Sequence, residues 1–434
     1  MRRRLISIVL VLYLLVPQFI TTAVQSKDNE GLWIEGTQQN PRPTNGVATI
    51  KGFTGKVTVT ESSYEFDLIC ELVCETPVDK MQWYVATSEL AIKRATLDDR
   101  EIKSRSDKGN FFLEFPQKMQ TGAHKLRFIY DGTMNYASPE GIRTQIFTNG
   151  YHFHCYNAWY PMSDSISTDK QVTFDLDVKI PSHWFLLGSF VPKEYRDKPK
   201  SDGKYKVEIK TENIYAAKLV GGDYIVFKEE GEKYAVRVYG FRGGNTSFKT
   251  ILKTAKSTAD FFGQYYNKPC ENDYFVAAQT GRRGNGQGLD GGWVIDSPYL
   301  NEESFAPDFL AHECAHLSWF GGNGIIPNPK VHPDQRVLSE AFAEFSAILY
   351  CDSLSPEQGQ AKLKSVRDIY FKNKKDYEPP LSSTACEWVD YIVYQKGALV
   401  VWALKGKLGD DVFKSAMQEF MKKYDYLIEI YYVL

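Results

Sequence analysis

The spacing of hydrophobic and polar positions changes part-way along this chain. From about Val47 to Phe241, short β-branched or alternating runs recur: Val57-Thr58-Val59-Thr60, Lys125 to Tyr130, Val172 to Ile180, Tyr205 to Ile209, Tyr224 to Lys228 and Tyr234 to Tyr239. Gly, Asn, Asp and Ser punctuate them, and a period of two between turn residues predicts strands with one buried face. Asp131-Gly132 and Gly221-Gly222-Asp223 read as turns. After Gly243-Gly244-Asn245 the period lengthens. Thr250 to Gln264 predicts an amphipathic helix, and Gln279 to Gly292, with six glycines, predicts a loop. Helices are then expected from about Pro307 to Phe320, stopping at Gly321-Gly322, and from about Arg336 to Cys351. Ser355 caps a third with Pro356 at its first position, a fourth covers about Glu387 to Leu408 and ends at Gly409, and a fifth runs from Asp410 or Asp411 to about Tyr424.

Strands followed by helices predict an α+β, multidomain chain: one or more β-rich domains over residues 27–245, then a mainly α-helical domain over 246–434. Ahead of them, Arg2, Arg3 and Arg4 precede the apolar run Leu5–Val16, Pro17 and the small residues Thr21-Thr22-Ala23. That is the layout of a secretory signal peptide over residues 1–26, so an exported protein (secreted, periplasmic or at the cell surface) is expected. The alternative is a membrane anchor formed by residues 5–16, although a spanning helix takes about 20 apolar residues. Seven cysteines are few and odd in number, which does not suit a disulfide scaffold. Cys70 and Cys74 could pair if a turn joined them, and otherwise are separate thiols. The composition, 43% hydrophobic and 24% charged, is that of a soluble globular protein. A formal net charge of −2 lacks the basic excess of a nucleic-acid binder, so no nucleic acid is expected as a partner.

The candidate chemistry lies in His312-Glu313-Cys314-Ala315-His316, inside the helix expected from Pro307. Residues four apart lie about 40° around a helix axis and roughly 6 Å along it, so His312 and His316 share a face and can hold one zinc ion. Glu313, beside the first ligand, is placed to take a proton from a water whose pKa the zinc lowers to about 7. The flanks Phe309, Leu310, Ala311, Cys314, Ala315 and Leu317 are apolar, and only seven histidines exist in the chain, so plain surface polarity is the weaker reading. A catalytic zinc takes a third protein ligand and keeps one position open. His332, Asp334, Glu340 and Glu344 are the candidates. Glu340 is preferred, because it sits in the apolar stretch Leu338 to Phe345, where an unpaired carboxylate is costly. His332 and Asp334 fall in a Pro/Asn/Gly-rich loop, and Glu344, one turn on from Glu340, reads as support behind a ligand or as surface.

These motifs resemble the gluzincin zinc aminopeptidases of the aminopeptidase N and leukotriene-hydrolase type. The family carries His-Glu-x-x-His-x-Trp-Phe-Gly, then Asn-Glu-x-Phe-Ala with the third ligand; here the corresponding runs are His312 to Gly321 and Ser339-Glu340-Ala341-Phe342-Ala343. Tyr394-Gln395-Lys396-Gly397-Ala398 is similar to the segment whose tyrosine steadies the oxyanion, a task that a phenol's directed hydrogen bond suits. Asn157 to Pro161 with the following strand agrees more weakly with the family's N-terminal domain. The resemblance implies a saddle-like β-rich domain and a thermolysin-like catalytic domain. It also implies one Zn²⁺ per chain on His312, His316 and Glu340, with Glu313 and Tyr394 catalytic and peptides as substrates.

Three departures bear on that expectation. Between His316 and Glu340 stand twenty-three residues, 317–339, where the family has eighteen; an enlarged loop at 322–335 accounts for them. The family's Gly-x-Met-Glu-Asn strand, whose Glu binds the substrate amine, corresponds most simply to Gly291-Gly292-Trp293-Val294-Ile295. Val294 then replaces that Glu, leaving Asp290 or Asp296 to serve the amine or weakening amine-end selectivity, while Gly291 and Gly292 let the strand approach substrate. The family also continues beyond its catalytic tyrosine with further helices, so the apolar tail Tyr426 to Leu434 suggests a shortened catalytic domain. Aminopeptidase activity is the leading expectation. A zinc endopeptidase, or a non-catalytic peptide-binding scaffold on a degenerate peptidase fold, is the alternative.

Overall fold

The computed structural model describes residues 48–433 apart from 85–90, 108–109, 134–144, 148, 154–158, 162, 164–165, 189, 212–216, 243–247, 280–285, 290, 297–305, 320–336 and 382–388. The signal-peptide segment and the enlarged loop therefore lie outside the described residues. Among those described, no helix is long and apolar enough to cross a membrane.

The N-terminal half is β-rich. Its largest sheet has seven strands in the order Lys204–Thr211, Ile166–Lys179, Ala48–Val59, Ser63–Cys74, Gly122–Thr133, Ala91–Leu97 and Arg100–Glu101. Along Ser63–Cys74 the side chains of Tyr64, Phe66, Leu68, Cys70, Leu72 and Cys74 are all buried while their neighbours are not, the period of two that makes one face of a sheet. Two smaller sheets close over that face through aromatic rings. Trp83 and Phe111 reach Phe128 and Tyr130 from one, and Phe153 packs on Phe66 from the other. Asp131-Gly132, expected as a turn, instead continues the strand Gly122–Thr133, paired opposite Glu65 and Tyr64. The partner strand extends past them, and its ladder outweighs their local turn preference. Cys70 and Cys74 share this buried face and are free thiols. Four strand residues span about 13 Å, well beyond the reach of a disulfide.

A second core takes in Val220, Tyr224, Val236 and Val238, together with Phe185 and Leu187 from the β-rich half. Strands β1 (Tyr224–Glu230) and β2 (Ala235–Phe241), expected with the N-terminal domain, therefore belong with the helical half. They join β3 (Tyr274–Gln279), β4 (Gly286–Leu289) and β5 (Gly292–Asp296) in a five-stranded sheet of order β1-β2-β3-β5-β4. Helix α1 (Phe248–Tyr266) connects β2 to β3, which run parallel. A parallel pair needs such a crossover, so β2 cannot be separated from α1 and β3. β4 lies inside the glycine-rich segment read as a loop. Its glycines hide it from a reading that looks for β-branched residues.

The helical half continues as α2 (Pro307–Ser318), a π-helical turn Val337–Ala341, α3 (Phe342–Leu354), α4 (Pro356–Asn373), a second π-helical turn Tyr391–Lys396, α5 (Gly397–Leu408) and α6 (Asp410–Val433). The expected caps are present: Ser355 Oγ accepts from the Gln358 amide at 3.2 Å, and Gly409 ends α5 with φ of 80°. Helix α3 is buried on every side from Phe342 to Cys351, which marks it as the central helix. The two π-helical turns meet at Gly397, where a Cβ would stand 2.5 Å from the Ala341 Cβ. Gly397→Ala is therefore expected to cost about 1–3 kcal/mol of stability through overpacking, read as a lower urea midpoint with unchanged slope.

Candidate metal centre

Helix α2 carries the two histidines on a nearly buried stem. Leu310, Ala311, Cys314 and Ala315 are wholly enclosed, packed towards α3, α1 and β4. This leaves one narrow polar face, on which His312 and His316 stand a turn apart. Glu340 comes from the π-helical turn before α3. The wider π turn carries an extra residue into one revolution, and such bulges recur where a side chain must be aimed at a site.

His312 Nε2, His316 Nε2 and Glu340 Oε2 form a triangle with all three sides 3.2 Å. Ligands held about 2.0–2.1 Å from a tetrahedral zinc stand roughly 3.3–3.4 Å from one another, so this triangle has the size of one tetrahedral face. Two imidazole nitrogens and a carboxylate also form a donor set zinc accepts. Among the described residues this is the group of side chains that could hold a metal. The residues present fit the ion.

The other faces of the ligands are also occupied. His312 Nδ1 donates to Glu344 Oε2 at 2.9 Å, and His316 Nδ1 lies 3.2 Å from Ser339 Oγ. A ligating histidine is commonly held this way, its second nitrogen fixing ring orientation and tautomer. Glu344 Oε1 in turn receives Lys362 Nζ at 2.7 Å, and Lys362 also reaches Asp308 Oδ2 at 2.9 Å. Burial alone would strip the proton from His312, but the carboxylates of Glu340 and Glu344 outweigh it and push the imidazole up to about 10. Burial opposes ionisation of Glu344 too, yet His312 and Lys362 hold its carboxyl down at about 2. The ring of Tyr394, from the second π-helical turn, stacks on His312 at 5.6 Å with planes 16° apart. Glu313 is half-buried on α2, and its charge adds to the stronger effect of Glu340 at His316.

The sequence model of the peptidase family M1 domain matches residues 299–428, the stretch that holds all of these side chains. This match and the relatives below support a place for the chain near the gluzincin aminopeptidases. It is 30% identical to mouse aminopeptidase N over 290 residues, 59% of this chain and 29% of that one, and 25% identical to rice aminopeptidase M1-C over 375 residues, 78% and 42%. The chain thus spans less than half the length of these curated relatives. An M1 zinc metallopeptidase from Deinococcus radiodurans, a mutant solved with the peptide Tyr-Ser-Ala, superposes with a TM-score of 0.54 at 19% identity, covering 87% of both chains. A two-domain M1 zinc metallopeptidase solved with L-tryptophan gives 0.55 at 19%, covering 88% of both. These neighbours share the fold.

The structure brings His312, His316 and Glu340 together, stacks Tyr394 on His312 and leaves Glu313 half-buried on the same helix as the two histidines. His332 and Asp334 lie outside the described residues. The strand expected in the cleft is placed differently. Val294 is fully enclosed in β5, an inner strand paired with β3 on one side and β4 on the other. Gly292 is buried against the Phe275 carbonyl, and Gly291 turns into the strand with φ of 84° while its carbonyl accepts from the Phe275 amide. A substrate amine cannot meet Val294, so the proposed exchange of Val for Glu at that place falls away. The strand at the sheet edge beside α2 is β4. Asp290 lies outside the described residues. Lys362 and Asp308 escaped the sequence reading because each looks like an ordinary solvated charge on a helix; only the packing of α4 over α3 brings Lys362 to Glu344 and to Asp308 on α2.

One zinc per chain is expected by elemental analysis of the purified protein. Glu340→Ala and His316→Ala should each abolish it, and zinc addition to the metal-depleted wild type should raise its melting temperature, an effect absent from both variants.

Proposed function

We propose that this protein is an exported zinc metallopeptidase that hydrolyses peptide bonds, most simply by removing N-terminal residues. The observation that carries the proposal is the 3.2 Å triangle of His312 Nε2, His316 Nε2 and Glu340 Oε2, with Tyr394 stacked on His312 and Glu313 on the same helix. The aminopeptidases among its relatives and the two-domain fold it shares with M1 zinc peptidases support the same reading. The basic and apolar segment at residues 2–16 supports export.

His312, His316 and Glu340 would hold the ion. When bound, zinc polarises the scissile carbonyl and makes an attacking water acidic enough to ionise near neutrality. Glu313 takes the proton from that water and returns it to the departing amine, as a half-buried carboxylate beside the ligands is placed to do. Tyr394 donates its phenolic hydrogen to the oxygen on which negative charge grows. A peptide running alongside α2 meets the outer edge of β4, where backbone amides and carbonyls can pair with it.

The second reading is a zinc endopeptidase. A panel of free and N-blocked peptides decides between them: an aminopeptidase cleaves free ends alone, an endopeptidase also the blocked ones. Either enzyme is silenced by chelator and restored by zinc. Glu313→Gln is expected to lose about 10²–10⁴-fold in kcat while retaining stoichiometric zinc, and Tyr394→Phe about 10²–10³-fold with KM little changed. Metal-replete wild type that cleaves none of these peptides would leave only the non-catalytic scaffold.

A further inference from the structure

Lys362 is the least expected charge near the centre. It sits on α4, a polar helix whose enclosed residues are Gly359 and Val366, yet its side chain is only 14% exposed. Gly359 explains how it gets there. A Cβ at that position would stand 2.6 Å from the Asp352 Cα, so the missing side chain lets α4 settle closely on α3. One turn further along, Lys362 Nζ then lies 2.7 Å from Glu344 Oε1 and 2.9 Å from Asp308 Oδ2.

These contacts close a ring across three helices. Asp308 and His312 are a turn apart on α2; His312 Nδ1 donates to Glu344 Oε2 on α3; Glu344 Oε1 accepts from Lys362 on α4; and Lys362 returns to Asp308. Glu344 uses one oxygen for each neighbour, so its carboxylate plane is fixed from both sides. A carboxylate held only by His312 could swing about its own side-chain bonds, and the imidazole with it. With both oxygens engaged, the ring of His312 is held in the tautomer that carries its proton on Nδ1 and turns Nε2 towards the triangle.

We propose that Lys362 is a positioning residue of the metal centre, acting through Glu344 to aim His312 at the ion. The inference rests on the zinc reading above and adds to it a residue that touches neither metal nor substrate. A lysine that merely ties helices together would alter stability and leave the affinity for the ion unchanged.

The test is zinc affinity of the purified full chain, measured by competition with a chromophoric chelator. Lys362→Met is expected to bind zinc about 10–100-fold more weakly, and Lys362→Arg, which still bridges two carboxylates, to recover most of that loss. Cobalt substituted for zinc should show a changed visible spectrum in Lys362→Met and the wild-type spectrum in Lys362→Arg. Because the lysine acts through Glu344, the double variant Lys362→Met/Glu344→Gln should bind no more weakly than Glu344→Gln alone. Wild-type affinity in Lys362→Met, or losses that simply multiply in the double variant, overturns the proposal. Should Lys362→Met fail to fold, Asp308→Asn removes one of the two anchors: weaker zinc binding supports the proposal and unchanged binding overturns it. A wild type that takes up no zinc would instead overturn the reading on which it rests.

Discussion

Three ligand atoms are held within 3.2 Å of one another in a largely enclosed place, and the helical half of the protein is arranged around that crowding. Two imidazole nitrogens and a carboxylate oxygen have little reason to converge without a cation. Buried charge is tolerated when it is paired, and here the pairing extends outward in steps: ligand to Glu344, Glu344 to Lys362, Lys362 to Asp308. The apolar stems of α2 and α3 supply the rigidity that keeps the atoms together, because their backs are part of the same core as the five-stranded sheet.

The geometry depends on two departures from regular helix. Glu340 and Tyr394 both sit in π-helical turns that lead into α-helices, and the turns abut where Gly397 faces Ala341. A continuous α-helix through either segment would rotate its functional side chain by a large part of a turn. The absent Cβ at Gly397 permits the close approach of the two turns that carry Glu340 and Tyr394. Gly359 does the same on the opposite side, letting α4 carry Lys362 to Glu344.

The β-rich half has a different logic. Its faces are covered by interleaved aromatic rings, among them Phe66, Tyr130, Phe153 and Trp159, and it holds none of the residues that gather at the metal centre. Strands β1 and β2 come directly after its last strand, yet their side chains fill the second core. These two strands thus share the core of the helical half, although the hydrophobic period groups them with the strands before them.

Local sequence determined much of the centre. Two histidines four apart on an apolar helix must share a face, and a glutamate in an apolar stretch must find a partner; both follow from helix geometry and the cost of burying charge. Strand alternation, the Ser355 cap and the Gly409 stop were legible for the same reason, since each is set by a few adjacent residues. The tertiary structure decided what depends on distant neighbours. Asp131-Gly132 became strand because a partner strand runs past it, and Gly286–Leu289 became an edge strand because β5 offers it a ladder. Val294 is enclosed because both faces of β5 are covered, successive residues Trp293, Val294 and Ile295 all being buried. Lys362 entered the centre because α4 packs on α3, and a lysine's own sequence surroundings carry no trace of which carboxylates another helix will bring to it.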